Sequence, residues 1–417
     1  MKKESYERVV VVGVQTDETD YDFEYSLEEL KNLVSNAHGE VVGEVTQKRD
    51  SINHKTFVGK GKLTEIKNYI EELDVTTVVF NQELSPSHVR NIQEVIDAKV
   101  LDRIQVILDI FALRARSKEG RLQVQLAQLN YTLPRLAGTY ENLSRLGGGI
   151  GTRGPGETKL ETDRRHIQKQ ITDVKRELKK VESHRERSRQ KREDSQALQI
   201  GIIGYTNAGK STLLNQLTEA ETLEKDILFA TLDPLTRKMT LPSGINVLIT
   251  DTVGFIKDLP TQLVESFKST LEETRNSDII LHVVDGSNEN VISHEETVEE
   301  LLKDLDMNHI PKMTIYNKAD LMSANFTPIS YPNTIISALN EEDMERLAHE
   351  IEEFLISNMT YYEASIPSYR GDVLAQLKQD TILDKQKFDK EEQVYNVAGY
   401  AKEDSYWIHK LNKDEFQ

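Results

Sequence analysis

Residues 204–212 read GYTNAGKST and follow the apolar run LQIGII at 198–203. The spacing is G-x-x-x-x-G-K-[ST], set between a predicted strand and the predicted helix STLLNQL at 211–217. In that setting Gly204 and Gly209 let the backbone N–H groups of Tyr205, Thr206, Asn207 and Ala208 turn inward around an anion. The helix N-terminus adds favourable potential for phosphate. Lys210 is expected to reach β- and γ-phosphates, and Ser211 to ligate Mg²⁺. Read outward from this loop, the fold is α/β around a phosphate-binding strand–turn–helix.

Three further segments specify the nucleotide. VLIT at 247–250 is a strand ending in DTVGF: Asp251 is placed to hold Mg²⁺ through water, and Gly254, after Thr252 and Val253, offers a backbone N–H to the γ-phosphate. MTIYNKADL at 313–321 ends a strand with Asn317, Lys318, Ala319 and Asp320. A carboxylate at Asp320 accepts from the N1–H and exocyclic amine of guanine. Adenine has no donors at the matching positions, so ATP is rejected. In TIISALN, the backbone of Ser337, Ala338 and Leu339 can approach the guanine oxygen. Four motifs in this order predict a GTPase that binds GTP and GDP.

The stretch LFATLDPLTRKMTL at 228–241 lies where a mobile loop supplies the Mg²⁺ shell with a threonine. Thr231 is the candidate, with Phe229, Ala230, Leu232 and Asp233 around it as the switch; Thr236 competes. The residues expected to carry the chemistry are Lys210, Thr231, Gly254 and Asn207. Two departures from a Ras-like site bear on mechanism. Phe255 stands where Ras-like enzymes place a water-orienting glutamine, so intrinsic hydrolysis should be slow and partner-stimulated. Asn207 stands where an asparagine in some GTPases helps hold K⁺, which makes K⁺ a candidate activator.

The chain has 417 residues, enough for several domains, and a formal net charge of −18. That charge argues against a generic nucleic-acid binder. Yet Arg153–Arg192 holds 14 Lys/Arg against 7 Asp/Glu, a local basic excess. There is no cysteine, which excludes disulfides, thiolate catalysis and Cys-ligated zinc. No run approaches the roughly 18 apolar residues of a membrane span. The protein reads as a cytoplasmic monomer, with a peripheral membrane-associated fraction left open.

Four parts follow from the pattern. Residues 1–105 alternate strands (RVVVVGVQT, EVVGEVTQ, VTTVVFN, KVLDRIQVI) with helices, an N-terminal α/β domain. Residues 106–197 form a helical hairpin. One predicted helix, within 108–136, carries Leu122, Leu126, Leu129, Leu133 and Leu136; the other carries Ile167, Ile171, Val174, Leu178 and Val181. Between them lie Gly147, Gly148, Gly149, Gly151, Gly154 and Gly156 with Pro155, flanked by Arg145, Arg153, Lys159, Arg164 and Arg165. Glycines let backbone approach a surface and arginines pair with phosphates, so this tip predicts nucleic-acid contact. Residues 198–358 are the GTP-binding domain. Residues 359–417 form a small α+β domain, with MTYYEASIP, EQVYNVAGYA and SYWIHKLN read as strands and YRGDVLAQLKQD as a helix.

Over nearly its whole length the chain resembles the HflX family, bacterial members of the translation-factor-related GTPases. GYTNAGKSTLLN, FATLDPLTR, DTVGFIKDLPTQLVESFKSTLEE and NKAD carry the resemblance in the nucleotide domain. FVGKGK, LDRIQVILDIFALRARSKEGRLQVQLAQLNYTLPRL and GGGIGTRGPGETKLETDRR carry it outside, the last two most diagnostically. Two positions depart: Leu235 stands where related sequences often have threonine, and Leu339 replaces a lysine common in other GTPases. The resemblance implies a factor that binds the large ribosomal subunit and its rRNA and splits or rescues stalled ribosomes, with the hairpin tip directed toward the peptidyl-transferase region. IKDLPTQLVESFKSTLEE would transmit the nucleotide state. The alternatives are a GTP-gated RNA-binding or remodelling protein that ignores intact ribosomes, and a coiled-coil scaffold. FVGKGKLTEI lacks full phosphate-loop spacing and reads as a tight turn or RNA contact rather than a second nucleotide site.

Overall fold

A computed structural model describes residues 6–144, 155–193, 197–218, 228–229, 231–257, 274–403 and 405–411. Ala230, Arg145, Arg153, the tip glycines at 147–154 and residues 258–273 lie outside the described residues. The chain divides into two compact units, parted between Val181 and Glu182.

In the first unit, β1 (Glu7–Gln15), β2 (Gly39–Lys48), β3 (Thr77–Phe80) and β4 (Lys99–Asp102) form a parallel sheet in the order β2-β1-β3-β4. The β1 run Val9–Val12 is wholly buried, as a strand covered on both faces by helices must be. Those helices are α1 (Asp20–Asn36), α2 (Lys60–Leu73), α3 (Pro86–Gln93) and α4 (Arg103–Arg114). Ser85 caps α3 reciprocally with His88, and Pro86 opens the helix. The stretch KVLDRIQVI departs from the predicted single strand. Asp102 accepts from the Gln105 N–H at 3.1 Å and caps α4, so Ile104, Ile107, Leu108 and Phe111 bury on one helix face.

The predicted long helix through 108–136 is broken at Ala115–Ser117. Ala115 is extended, and the Ser117 hydroxyl accepts from the Gly120 N–H at 2.8 Å, starting α5 (Lys118–Ser144). Pro155 and Gly156 open α6 (Pro155–Glu193). Leu126, Val174 and Leu178 are buried together, with Leu122, Leu129 and Ile171 packed against them. Lys118 pairs with Glu177 at 3.4 Å, a second contact between α5 and α6.

In the second unit a six-stranded sheet runs β10-β9-β8-β5-β7-β6. Its strands are β5 (Gln199–Gly204), β6 (Leu235–Thr240), β7 (Asn246–Asp251), β8 (Ile279–Asp285), β9 (Lys312–Asn317) and β10 (Asn333–Ile335). Only β6 is antiparallel to its neighbour. Helices α7 (Lys210–Leu217), α8 (Val291–Asp304) and α9 (Glu341–Ser357) accompany it. The antiparallel sheet β11-β13-β12 follows, built from β11 (Thr360–Pro367), β12 (Ile382–Asp389) and β13 (Val394–Ala401) with α10 (Gly371–Asp380). The stretch SYWIHKLN is a helix, α11 (Tyr406–Leu411), not the predicted strand. Ser405 accepts from the Ile408 N–H at 3.2 Å, a cap that turns Trp407 and Ile408 into the core.

Candidate nucleotide-binding site

Strands β5, β7 and β9 are oriented alike, so their C-terminal ends meet at one sheet edge, where open α/β sheets take ligands. The first delivers the phosphate loop. Gly204 has φ 153°, and a Cβ there would stand 2.1 Å from the Val283 carbonyl. Gly209 has φ 92°, and its Cβ would meet Asn317 Nδ2 at 2.2 Å. Both positions therefore demand glycine. Asn207 sits exposed in the left-handed region at φ 62°, which asparagine tolerates. Thr206, Asn207, Gly209, Lys210, Ser211, Phe229, Thr231, Thr252 and Gly254 line one cavity.

Lys210 is buried and donates to the carbonyls of Gly204 (3.0 Å) and Tyr205 (2.7 Å). Burial pulls its pKa down to about 8, against the upward pull of Asp251. Asp251, wholly buried at the end of β7, shows the converse: burial raises its pKa, while Lys210 and the hydroxyls of Thr231 and Ser211 oppose the rise. In both groups burial outweighs the attraction of the other ion.

Ser211 Oγ and Thr231 Oγ1 stand 2.8 Å apart, and they donate to Asp251 Oδ2 at 2.8 and 2.7 Å. Asp251 Oδ1 is buried and makes no well-formed hydrogen bond among the described residues. Two hydroxyls and a carboxylate with a spare oxygen are the hard donor set Mg²⁺ prefers, so the residues fit that ion. Thr236, by contrast, bonds Thr250 across the β6–β7 pair at 2.9 Å. Phe229 and Leu232 are buried, Phe229 with φ 54°, and Asp233 is half-buried.

After Asp251, Thr252 donates to the Ile202 carbonyl at 2.8 Å and Val253 is buried, fixing the turn to β5. A Cβ on Gly254 would stand 2.9 Å from Thr206 Cγ2 and 3.0 Å from Lys210 Nζ, so this backbone lies against the phosphate loop. Phe255 is 4% exposed, bonded through its backbone to Gly204 and Thr206.

At the end of β9, Asn317 ties two loops together. It donates to the Ala208 carbonyl and accepts from the Ala338 N–H, both at 2.9 Å. Lys318 is left-handed at φ 65° and pairs with Asp285 at 2.8 Å, while the Ala319 N–H bonds the Ile336 carbonyl. Exposed Asp320 accepts from Ser337 Oγ at 2.6 Å, which orients its carboxylate. Leu339 projects its side chain into solvent, 74% exposed.

Three contributors were not visible in the motifs. Asp285 orients Lys318, Asp343 accepts from the Ser337 N–H at 2.8 Å, and His294 stacks on Tyr205. Asp285 carried a signal, an acid closing the apolar run IILHVV; the other two follow only from helix packing. In FVGKGK, the Gly59 N–H is taken by Gln47 at 2.8 Å and Lys62 pairs with Glu65.

Family models match three consecutive stretches. They are described as GTP-binding GTPase N-terminal (24–112), GTP-binding GTPase Middle Region (114–192) and 50S ribosome-binding GTPase (199–318). A protein of Alkalihalophilus pseudofirmus named GTPase HflX is 50% identical over 406 residues, covering 97% of this chain and 96% of its own. GTPase HflX of Escherichia coli is 38% identical over 387 residues, covering 91% and 90%. A solved GTP-binding protein from the archaeon Sulfolobus solfataricus, in complex with GDP, is 25% identical. It covers 84% of this chain and 99% of its own with a TM-score of 0.44.

Proposed function

Since this chain belongs to the HflX family of GTPases and is itself a GTP hydrolase, we propose that it binds the large ribosomal subunit and its rRNA and splits or rescues stalled ribosomes. The observation that carries the reading is the joining of two features in one chain. The match to the 50S ribosome-binding GTPase model spans the phosphate and cation residues and reaches Asn317 and Lys318 on the base side. Ahead of it stands a two-helix arm whose second helix is rich in Lys and Arg. The working division is 198–358 for GTP, 106–197 for the target, and flanking domains at 1–105 and 359–417, acting as a cytoplasmic monomer. No helix among the described residues is long and apolar enough to cross a membrane.

In this reading Gly204–Ser211 cradle the phosphates and Lys210 gives its charge to the β- and γ-phosphoryl oxygens. Ser211 and Thr231 would hold Mg²⁺ with Asp251 behind them. Bound there, the ion would neutralise charge on the same oxygens. Gly254 presents its N–H to the γ-phosphate, so that phosphate orders both Phe229–Asp233 and the segment beyond Gly254, and hydrolysis releases them. Asp320 selects guanine with Asn317, Lys318 and the 337–339 backbone. Phe255 cannot orient or deprotonate water, so intrinsic turnover is slow and the target accelerates it. Asn207 and K⁺ would supply positive charge where an arginine finger otherwise acts.

Co-sedimentation tests the partner. The protein with a non-hydrolysable GTP analogue should pellet with large subunits and not with small ones, and Lys210→Ala should abolish this. Equal pelleting with both subunits, or retention in Lys210→Ala, contradicts the reading.

A further inference from the structure

The phosphate chemistry leaves the Tyr205 side chain without a task, although it is only 4% exposed beside the site. Its ring stacks on His294 of α8, centroids 3.7 Å apart and planes within 9°. Its hydroxyl accepts the Lys257 backbone N–H at 2.8 Å. Two main-chain bonds run alongside: Phe255 N–H to the Gly204 carbonyl at 3.1 Å, and Thr206 N–H to the Phe255 carbonyl at 2.7 Å. Three hydrogen bonds therefore hold residues 255–257 against the phosphate loop, and just one of the three depends on a side chain.

His294 is a firm backstop. It is buried, and its N–H is bonded to the Asn290 carbonyl in the first turn of α8. Burial keeps its imidazole neutral, with a pKa near 4, so the stack is one of uncharged rings at working pH. With a phenyl ring buried at 255, the part of this segment that faces the cavity is the main chain at Gly254.

We propose that Tyr205 is a positioning residue for GTP hydrolysis: its hydroxyl, held in place by the His294 stack, fixes the main chain at Lys257 and thereby the course of the segment leaving Gly254. The main chain so held at Gly254 takes the place of a glutamine side chain at position 255 in orienting the water. The inference rests on the assignment of Gly204–Ser211 to the phosphates.

The test compares full-length Tyr205→Phe, His294→Ala and His294→Phe with the wild type. Each is measured for GTP kcat and KM, for affinity toward a fluorescent GDP, and for thermal midpoint. Losing one positioning hydrogen bond should lower kcat by about tenfold in Tyr205→Phe and in His294→Ala, leaving KM and GDP affinity within about twofold. His294→Phe, which keeps a flat ring under Tyr205, should restore kcat. Wild-type kcat in Tyr205→Phe overturns the proposal. So does a parallel fall of kcat, GDP affinity and midpoint, which would make Tyr205 a structural part of the loop. Failure of the wild type to bind GDP would instead overturn the phosphate-loop assignment.

Discussion

Asn317 and Ala208 lie 109 positions apart, yet the amide of the first donates to the carbonyl of the second at 2.9 Å. The same side chain accepts from Ala338 N–H, so one buried residue locks the phosphate loop to the base-side loop. Asn317→Ala breaks both bonds in a buried setting, a cost on the order of 2–3 kcal/mol. GDP affinity should fall by roughly 30- to 150-fold, read by fluorescence titration. An affinity within a few fold of wild type would show that the loops hold each other without it.

Gly209→Ala should be equally damaging by a different route. Its Cβ would overlap Asn317 Nδ2, and its backbone is left-handed. Gly244 is also left-handed but has nothing within 4 Å of its Cβ, so Gly244→Ala isolates the backbone strain, about 1 kcal/mol. GDP binding should be lost in the first variant and kept in the second. Loss in both would point to strain rather than to the Asn317 contact.

Asp320→Asn exchanges an acceptor pair for an acceptor and a donor. Guanine then meets one mismatched group, while xanthine, with a carbonyl in place of the amine, meets a matching donor. Preference should shift from GTP toward xanthosine triphosphate by about 100-fold or more, measured as competing turnover. The Ser337 bond to Asp320 predicts that Ser337→Ala weakens GTP binding more modestly, by several fold. An unchanged guanine preference in Asp320→Asn would remove Asp320 from the base site.

The phosphate loop, DTVG and NKAD were legible because each is a short run at the end of one strand. Backbone placement around a ligand forces its residue types and spacing. What brings them together is strand order, and contacts such as Tyr205 with His294, or Lys318 with Asp285, join elements that local pattern cannot relate. Two segments differ from their sequence expectation for one reason. KVLDRIQVI and SYWIHKLN are short apolar runs compatible with strand or helix, and a single capping side chain, Asp102 or Ser405, decides between them. The break at Ser117 is the same device inside a longer run.

Stability should fall in mild acid through His282. It is buried in β8, and burial first, then the charges of Lys312 and Lys210, hold its pKa down to about 3. The unfolded chain takes up this proton near pH 6.5. The group therefore contributes fully above about 6.5 and progressively less below it, by up to ~1.4 kcal/mol per pH unit toward 3. His282→Leu should flatten the decline in thermal midpoint between about pH 6.5 and 5. Parallel curves for the two proteins would mean that other groups set it.

If the chain acts as proposed, its GTP hydrolysis answers to the large ribosomal subunit. The direct measurement is GTP turnover in K⁺ buffer by the protein alone, with large subunits, with small subunits, and with protein-free ribosomal RNA. The expected result is slow turnover alone and strong stimulation by large subunits only. Equal stimulation by bare RNA, or none by any partner, would contradict it.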